Sequence, residues 1–330
     1  MSPKKLPSDS SSKNKDIRHL VRSDVNLEKW NIFTTRANSG YRVLERQRIN
    51  EDGSRSNLSV AIGLPDSKLT LTAMEAKIFY LLLNIWDDQG RPVNGVVSTT
   101  INYILNNLSS NNQNQSGKAL RYSQNDKKWL LKHFDNMNRV IIQFRDKTYQ
   151  THEEEDTAKS FTLIEDFNVY SRSDKANQKE FGLTTIKLHP QIIDSILHRK
   201  VKPIRKDVIV SLRKDISVIL YRYLDLMLSS RTFFERNVTD LGEELSLGAR
   251  RSDHLLEYFR EAAAELTGKE LSTGRIVKCE VVPKVKQRGW KLVVQKGQFF
   301  SLKSGEKEQS REEYEKDILA RFSTIKDGER

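Results

Sequence analysis

The chain has 330 residues, with 56 lysines and arginines against 44 aspartates and glutamates, a formal charge of +12 and a pI of about 9.5. That balance suits a nucleic-acid binder, for which a domain pI above ~9 is the usual signature. A single cysteine, Cys279, excludes an intrachain disulfide, and no apolar run approaches the ~18 residues that would mark a membrane-spanning helix.

Residues 1–40 are polar and basic, with only Leu20, Val21, Leu27, Trp30, Ile32 and Phe33 to bury. The first dozen or so read as disordered, and the segment after them as docking on the first domain. Met1-Ser2-Pro3-Lys4-Lys5 lacks the apolar core of a signal peptide. Residues 41–62 alternate weakly around Glu51-Asp52-Gly53 and predict a β-hairpin. Thr72 with Glu75 three residues on predicts a capping box, opening a helix that carries Ile78, Phe79, Leu82, Leu83 and Trp86. A short helix follows from Ser98 or Thr99 to Leu108, then a polar Ser/Asn/Gln loop over 109–117. Ser123 caps the next helix, which contains Trp129, Leu130, Phe134 and Met137. Val140–Phe144 and Phe161–Val169 read as two strands of a wing, with the acidic block Glu153, Glu154, Glu155 and Asp156 at its tip. A third strand, Phe181–Leu188, leads to His189-Pro190 and a helix ending near Leu197.

The stretch 199–212 is basic and broken by Pro203, and reads as a linker. Beyond it come a helix over 215–229, a short helix over about 238–246, a helix over about 250–267, and a hairpin of Arg275–Val282 with Trp290–Gln295. Residues 303–330 are mostly charged, with one short helix around Tyr314–Phe322. Cys279 sits in an alternating strand pattern and reads as a small buried hydrophobe.

The two halves repeat each other. Tyr80 corresponds to Tyr221, Ile101 to Leu241 and Leu130 to Leu255, the last offset being shortened by the polar loop of the first copy. Long helix, short helix, amphipathic helix and β segment, in that order, describe a winged helix. The expected fold class is therefore α+β: two tandem winged-helix (helix-turn-helix plus β-wing) domains. They occupy 41–198 and 213–300, between a basic N-terminal segment (1–40) and a charged tail (301–330), with the basic linker 199–212 joining them.

In a winged helix the third helix enters the major groove, which is wide enough to admit it. In the second copy that helix opens with Arg250, Arg251 and Ser252. The arginines suit guanine edges or phosphate, and the hydroxyl suits phosphate; the bland alternative is solvated charge at a helix start. Glu257, Glu261 and Glu265 face away from the apolar stripe, so contact should concentrate in the first turns. Lys284, Lys286, Arg288 and Lys291 cluster at the hairpin turn, as a phosphate-holding tip or an idle solvated one. In the first copy Arg121, Gln124, Asn125, Lys127 and Lys128 lie on the corresponding helix, together with Lys132, and Gln124 and Asn125 match adenine edges. The acidic block would repel phosphate, so this copy is either a DNA reader or chiefly a self-association surface. Arg205 and Lys206 in the linker either cross a phosphate backbone or are merely solvated.

Enzymatic constellations are missing. The six histidines include no His-x-His pair, no phosphate-cradling G-x-x-x-x-G-K-[ST] is present, and no metal-ligand spacing appears. The chain is expected to be a cytoplasmic, non-enzymatic DNA-binding protein with no cofactor and no membrane partner.

At Asp215–Asp225, Val238–Gly248 and Leu256–Leu266 the sequence resembles the plasmid replication initiator proteins, of the replication initiator protein A type with two winged-helix domains. The most specific string is Leu220-Tyr221-Arg222-Tyr223-Leu224-Asp225, and Ile186-Lys187-Leu188-His189-Pro190 also fits. The resemblance covers roughly residues 60–295; the loops at 109–117 and 152–156 depart from it. It implies binding to directly repeated sites in a plasmid or phage origin, duplex opening, and recruitment of host helicase or initiator proteins. It also implies a monomer–dimer equilibrium through residues 41–198, with dimers repressing their own gene. The alternative is a transcriptional regulator on a palindromic operator, and a DNA-processing enzyme is a distant third.

Overall fold

The computed structural model describes residues 20–35, 40–49, 55–109, 122–150, 156–172, 181–198, 201–247, 252–284 and 289–297. The described chain begins with β1 (Leu20–Asp24) and α1 (Val25–Lys29), then a hairpin of β2 (Arg42–Ile49) and β3 (Arg55–Ile62). The first unit runs α2 (Ala73–Asp88), β4 (Val96–Thr100), α3 (Ile101–Leu108), α4 (Gln124–Arg139), β5 (Ile142–Gln150), β6 (Asp156–Phe161), β7 (Ile164–Arg172), β8 (Phe181–Leu188) and α5 (Pro190–Leu197). β9 (Val201–Arg205) and α6 (Lys206–Ser211) join it to the second unit. That unit comprises α7 (Asp215–Met227), β10 (Phe233–Asn237), α8 (Val238–Glu244), α9 (Ser252–Leu266), β11 (Glu270–Leu271), β12 (Gly274–Pro283) and β13 (Trp290–Gly297). The architecture is mixed α+β.

Helix α2 starts where its capping box predicts. The Thr72 hydroxyl accepts from the Met74 amide while Glu75 reaches back to the Thr72 amide at 2.7 Å. From Ile78 to Leu83 every side chain is buried. A helix apolar on all sides has to run through the middle of the protein, and α2 does so. Helix α7 repeats this, with Ile216 to Tyr221 all buried.

The two units share a topology. In the first, β4, β8 and β7 form an antiparallel sheet in the order β4-β8-β7; in the second the order is β10-β13-β12, with the short β11 added beyond β12. In both, the strand that follows the long helix lies beside the last strand of the unit. The repeat partners Tyr80 and Tyr221, Ile101 and Leu241, and Leu130 and Leu255 are all buried.

The hairpin of 41–62 forms as expected, but the later one expected between 140–144 and 161–169 is replaced by another. β7 pairs with β8 from Ile164↔Leu188 to Arg172↔Phe181. β5 and β6 instead extend the β2–β3 hairpin into a separate sheet ordered β2-β3-β5-β6. The reason is a break at Thr162–Leu163, where the Leu163 amide bonds to the Met137 carbonyl at 3.2 Å and the apparent single strand becomes two. Before the break, Phe161 stacks at 5.6 Å on Phe144, and Tyr149 closes the cluster edge-on. Glu153, Glu154 and Glu155 of the acidic block, between β5 and β6, lie outside the described residues. Residues 173–180, between β7 and β8, lie outside the described residues, as do the N-terminal dozen and the expected helix at 314–322.

Residues 201–211 are not a solvated linker. β9 pairs antiparallel with β1, from Leu20↔Arg205 to Asp24↔Val201, and Ile204 and Ile209 are fully buried. Lys202 pairs with Asp225 at 2.8 Å and Arg205 with Glu270 at 2.5 Å, so the basic residues spend their charge internally. The segment 20–35 wedges Val21, Leu27, Trp30, Ile32 and Phe33 into a core common to both units. Asn31 also donates to the Leu245 carbonyl at 2.8 Å, and Lys77 of α2 to the Leu212 carbonyl at 2.5 Å.

The close approach of α8 to α9 depends on Gly242. A Cβ there would stand 2.6 Å from Leu255 Cδ2. Gly242→Ala is expected to force Leu255 out of its packed position and to cost about 1–3 kcal/mol, as overpacking does. Urea unfolding of the variant against the parent chain checks this, and an unchanged midpoint would refute the tight contact.

Candidate nucleic-acid interface

Helix α4 shows its two faces clearly. Its start is fixed by a second capping box, in which the Ser123 hydroxyl accepts from the Asp126 amide at 3.2 Å and Asp126 accepts from the Ser123 amide at 2.8 Å. Those bonds from Ser123 hold the Asp126 carboxyl below its usual range. Leu130, Phe134 and Met137, spaced i, i+4 and i+7, turn inward. The opposite face presents Gln124, Asn125, Lys128, Trp129 and Lys132 to solvent, with Lys127 half-buried. Farther along, Arg139 pairs with Asp135 at 3.1 Å. Tyr103 of α3 is also exposed.

A buried carboxylate clamps α4 to the start of α2. Glu75 accepts from His133 Nδ1 at 2.6 Å, from Asn136 Nδ2 at 2.8 Å and from the Thr72 hydroxyl. Burial alone would raise the Glu75 carboxyl. The hydrogen bond and charge of His133, with Thr72 and Asn136, outweigh it and hold the group below its ordinary value. An ionised carboxylate only accepts, so Nδ1 of His133 carries the proton of this bond. The Trp129 ring then stands edge-on to the His133 ring, with centroids 4.5 Å apart and planes at 74°.

Helix α9 is different. Leu255, Phe259, Ala262, Ala263 and Leu266 turn inward, and Asp253, His254, Glu257, Tyr258 and Arg260 face outward. Arg260 lies over the Trp290 ring at 4.8 Å, Glu261 pairs with Lys214 at 3.1 Å, and Glu265 accepts from the Arg213 and Lys214 amides. The open charge on this face is chiefly acidic. Ser252 is the first residue of α9, but its side chain lies outside the described residues, as do Arg250, Arg251, Lys286, Arg288 and Arg121. Lys284 closes the β12–β13 turn through its amide, which bonds to the Gly289 carbonyl at 3.1 Å, and Lys291 pairs with Glu235 at 3.0 Å.

The linker cations stand elsewhere than expected. Arg205 is buried between Glu270 and Asp207, so no phosphate can reach it without breaking both pairs. Lys206 is half-buried, and burial lowers its ammonium from the ordinary value against the pull of Asp88 and Asp207.

The structure thus brings Gln124, Asn125 and Lys128 onto one surface with Trp129 and Lys132, and leaves Arg205 out. In the sequence Trp129 adjoins Leu130 and so resembles part of the apolar stripe. The 130, 134, 137 spacing alone places it about 100° off that stripe. Among the described residues no group of three or more His, Cys, Asp or Glu stands ready to hold a metal, and no helix is long and apolar enough to cross a membrane.

The molecule is a two-unit α+β protein with a lysine-bearing, partly aromatic helix face on its first unit. No family model matches the chain, and no curated protein matches it. Among solved structures it is similar to the crystal structure of domains 2 and 3 of RctB, at 13% identity and a TM-score of 0.47. That likeness covers 82% of this chain and 95% of the other.

Proposed function

We propose that the chain is a sequence-specific, double-stranded DNA-binding replication initiator built from two winged-helix units, acting by binding rather than by catalysis. The observation that carries this reading is the outward face of α4. Amides that match adenine edges stand at its first turn, and lysines suited to phosphate follow within two turns. The twofold occurrence of one helix–strand–helix–helix–hairpin topology supports the winged-helix assignment, and the net positive charge supports a polyanionic partner.

The initiator reading rests further on the resemblance at Asp215–Asp225, and it carries host helicase or initiator proteins as partners. Self-association through residues 41–198 belongs to the same reading. It is supported by Tyr170 and Leu183, exposed cross-strand neighbours at the far end of the β7–β8 pair, where β7 is an edge strand. Exposed apolar side chains on a sheet edge are the usual place for a second copy to pair.

Selection of sites from random duplex DNA at near-physiological salt, followed by footprinting, tests the proposal. Directly repeated sites with reactive thymines beside them are the expected result. A lone palindrome with intact flanks would identify a regulator instead, and no enrichment would refute sequence-specific binding. On the selected duplex, Lys128→Ala and Lys132→Ala should each weaken all sequences alike and flatten the slope of log affinity against log salt by about 0.9 per lost phosphate contact. Unchanged slopes for both would remove α4 from the interface.

A further inference from the structure

We propose that Trp129 reads a thymine, its indole packing on the C5-methyl group in the major groove; this rests on the duplex-binding role proposed for α4. Trp129 is 40% exposed, on the helix face that also carries Asn125 one turn earlier and Lys132 one turn later. An indole left in water forfeits a large apolar burial. Its position is nevertheless fixed, because the ring abuts His133 at 4.5 Å and His133 is bonded at 2.6 Å to the fully buried Glu75. Glu75 and His133 are positioning residues here: they hold the indole against the side of the helix, one turn from Asn125.

The partner follows from the chemistry of the groove. Phosphate and base edges offer donors and acceptors, which the lysines, Gln124 and Asn125 match. The thymine methyl is the one apolar group displayed in the major groove, and Trp129 is the one large apolar side chain exposed on this face of α4. The lysines on either side, Lys128 and Lys132, hold the backbone while the indole is pressed toward the base edges.

The test uses the full chain and the duplex that random selection returns, with each thymine replaced in turn by uracil, which removes only the methyl group. For the parent chain, one of these replacements should weaken binding about fourfold, the affinity equivalent of withdrawing one buried methyl-sized group. Trp129→Ala should bind the thymine and uracil duplexes equally well. Trp129→Gln, which keeps a long side chain and good helix propensity, should do the same, so that a folding defect in one variant does not decide the matter. Equal methyl sensitivity in the parent and both variants, or no methyl-sensitive thymine at all, would overturn the assignment while leaving duplex binding intact. Failure to select any duplex would overturn the assignment together with the reading beneath it.

Discussion

Glu28→Ala is expected to lower the unfolding free energy by about 3–5 kcal/mol, the range for removing one partner of a buried ion pair. The Glu28 and Arg222 side chains are 1% and 3% exposed, and Arg222 Nη2 lies 3.0 Å from Glu28 Oε2. Tyr80 donates to Glu28 Oε1 at 2.6 Å and accepts from Arg222 Nε, while Ser23 donates to Glu28 Oε1 at 2.6 Å. The guanidinium also faces the Phe33 ring, 4.5 Å from its centroid. Burial pulls Arg222 down, but Glu28 and Tyr80 more than offset it and leave the group above its ordinary value. Nearby Arg42 has no such support: burial and the charge of Arg222 lower it to about 10. Without Glu28, two guanidinium groups would share a desolvated site with no carboxylate.

The cost falls on the relation between the units, because this cluster joins α1, α2 of the first unit and α7 of the second. Chemical unfolding should show the loss directly, and thermal unfolding a melting temperature lowered by roughly 6–20 °C at ~2–4 °C per kcal/mol. Glu28→Leu with Arg222→Met should recover most of it, since a well-packed apolar pair avoids the desolvation cost that the ion pair bears. A loss under 1 kcal/mol for Glu28→Ala would mean that water reaches the cluster and that the units are joined by apolar packing alone.

This cluster also shows what the sequence could and could not reveal. The string Leu220–Asp225 was its most recognisable motif, yet its charged members serve the interior. Arg222 binds Glu28, and Asp225 accepts from the Ser272 amide at 2.6 Å and hydroxyl at 3.0 Å. A motif can therefore mark a fold without marking a binding surface. Local signals were readable because their partners are local: Thr72 with Glu75, Ser123 with Asp126, and the apolar spacing of α2, α4 and α9. The junction was not, because Lys202 and Arg222 find their partners 23 and 194 residues away, and Arg205 adds to its neighbour Asp207 a second partner 65 residues away; a lysine or arginine shows no sign in sequence of being neutralised at a distance. The strand break within 161–169 is hidden for another reason. No glycine or proline punctuates Phe161–Val169, so nothing marked the break at Thr162–Leu163. The acidic outward face of α9 was partly legible in Glu257, Glu261 and Glu265, whereas the exposure of Trp129 needed the helix phase set by Leu130, Phe134 and Met137.

Asp24→Asn is expected to stabilise the protein at neutral pH and to leave it unchanged near pH 4. Asp24 is fully buried at the β1–α1 junction, where it accepts from the Asn26 amide at 2.6 Å and from the Tyr149 hydroxyl at 2.8 Å. Burial pushes its carboxyl up from 3.8 to about 6, and the bonds from Tyr149, Asn26 and Ser195 offset only part of that rise. The folded state then holds a proton that the unfolded chain releases near pH 4. Stability from this group is fully present below about pH 4 and is lost as pH rises through about 6. At pH 7 the ionised carboxylate costs about 3 kcal/mol relative to an unshifted group, at ~1.4 kcal/mol per pH unit. Asparagine keeps an acceptor for the Asn26 amide and turns a donor toward Tyr149, so the variant should gain about 1–3 kcal/mol above pH 6.5. Urea unfolding of parent and variant between pH 4 and 8 checks this through the difference between the two curves. A difference that stays flat across that range would show Asp24 to be ionised throughout and its site to be hydrated. A difference that opens between pH 4 and 6 would show that the segment joining the two units is held most firmly when this carboxyl carries its proton.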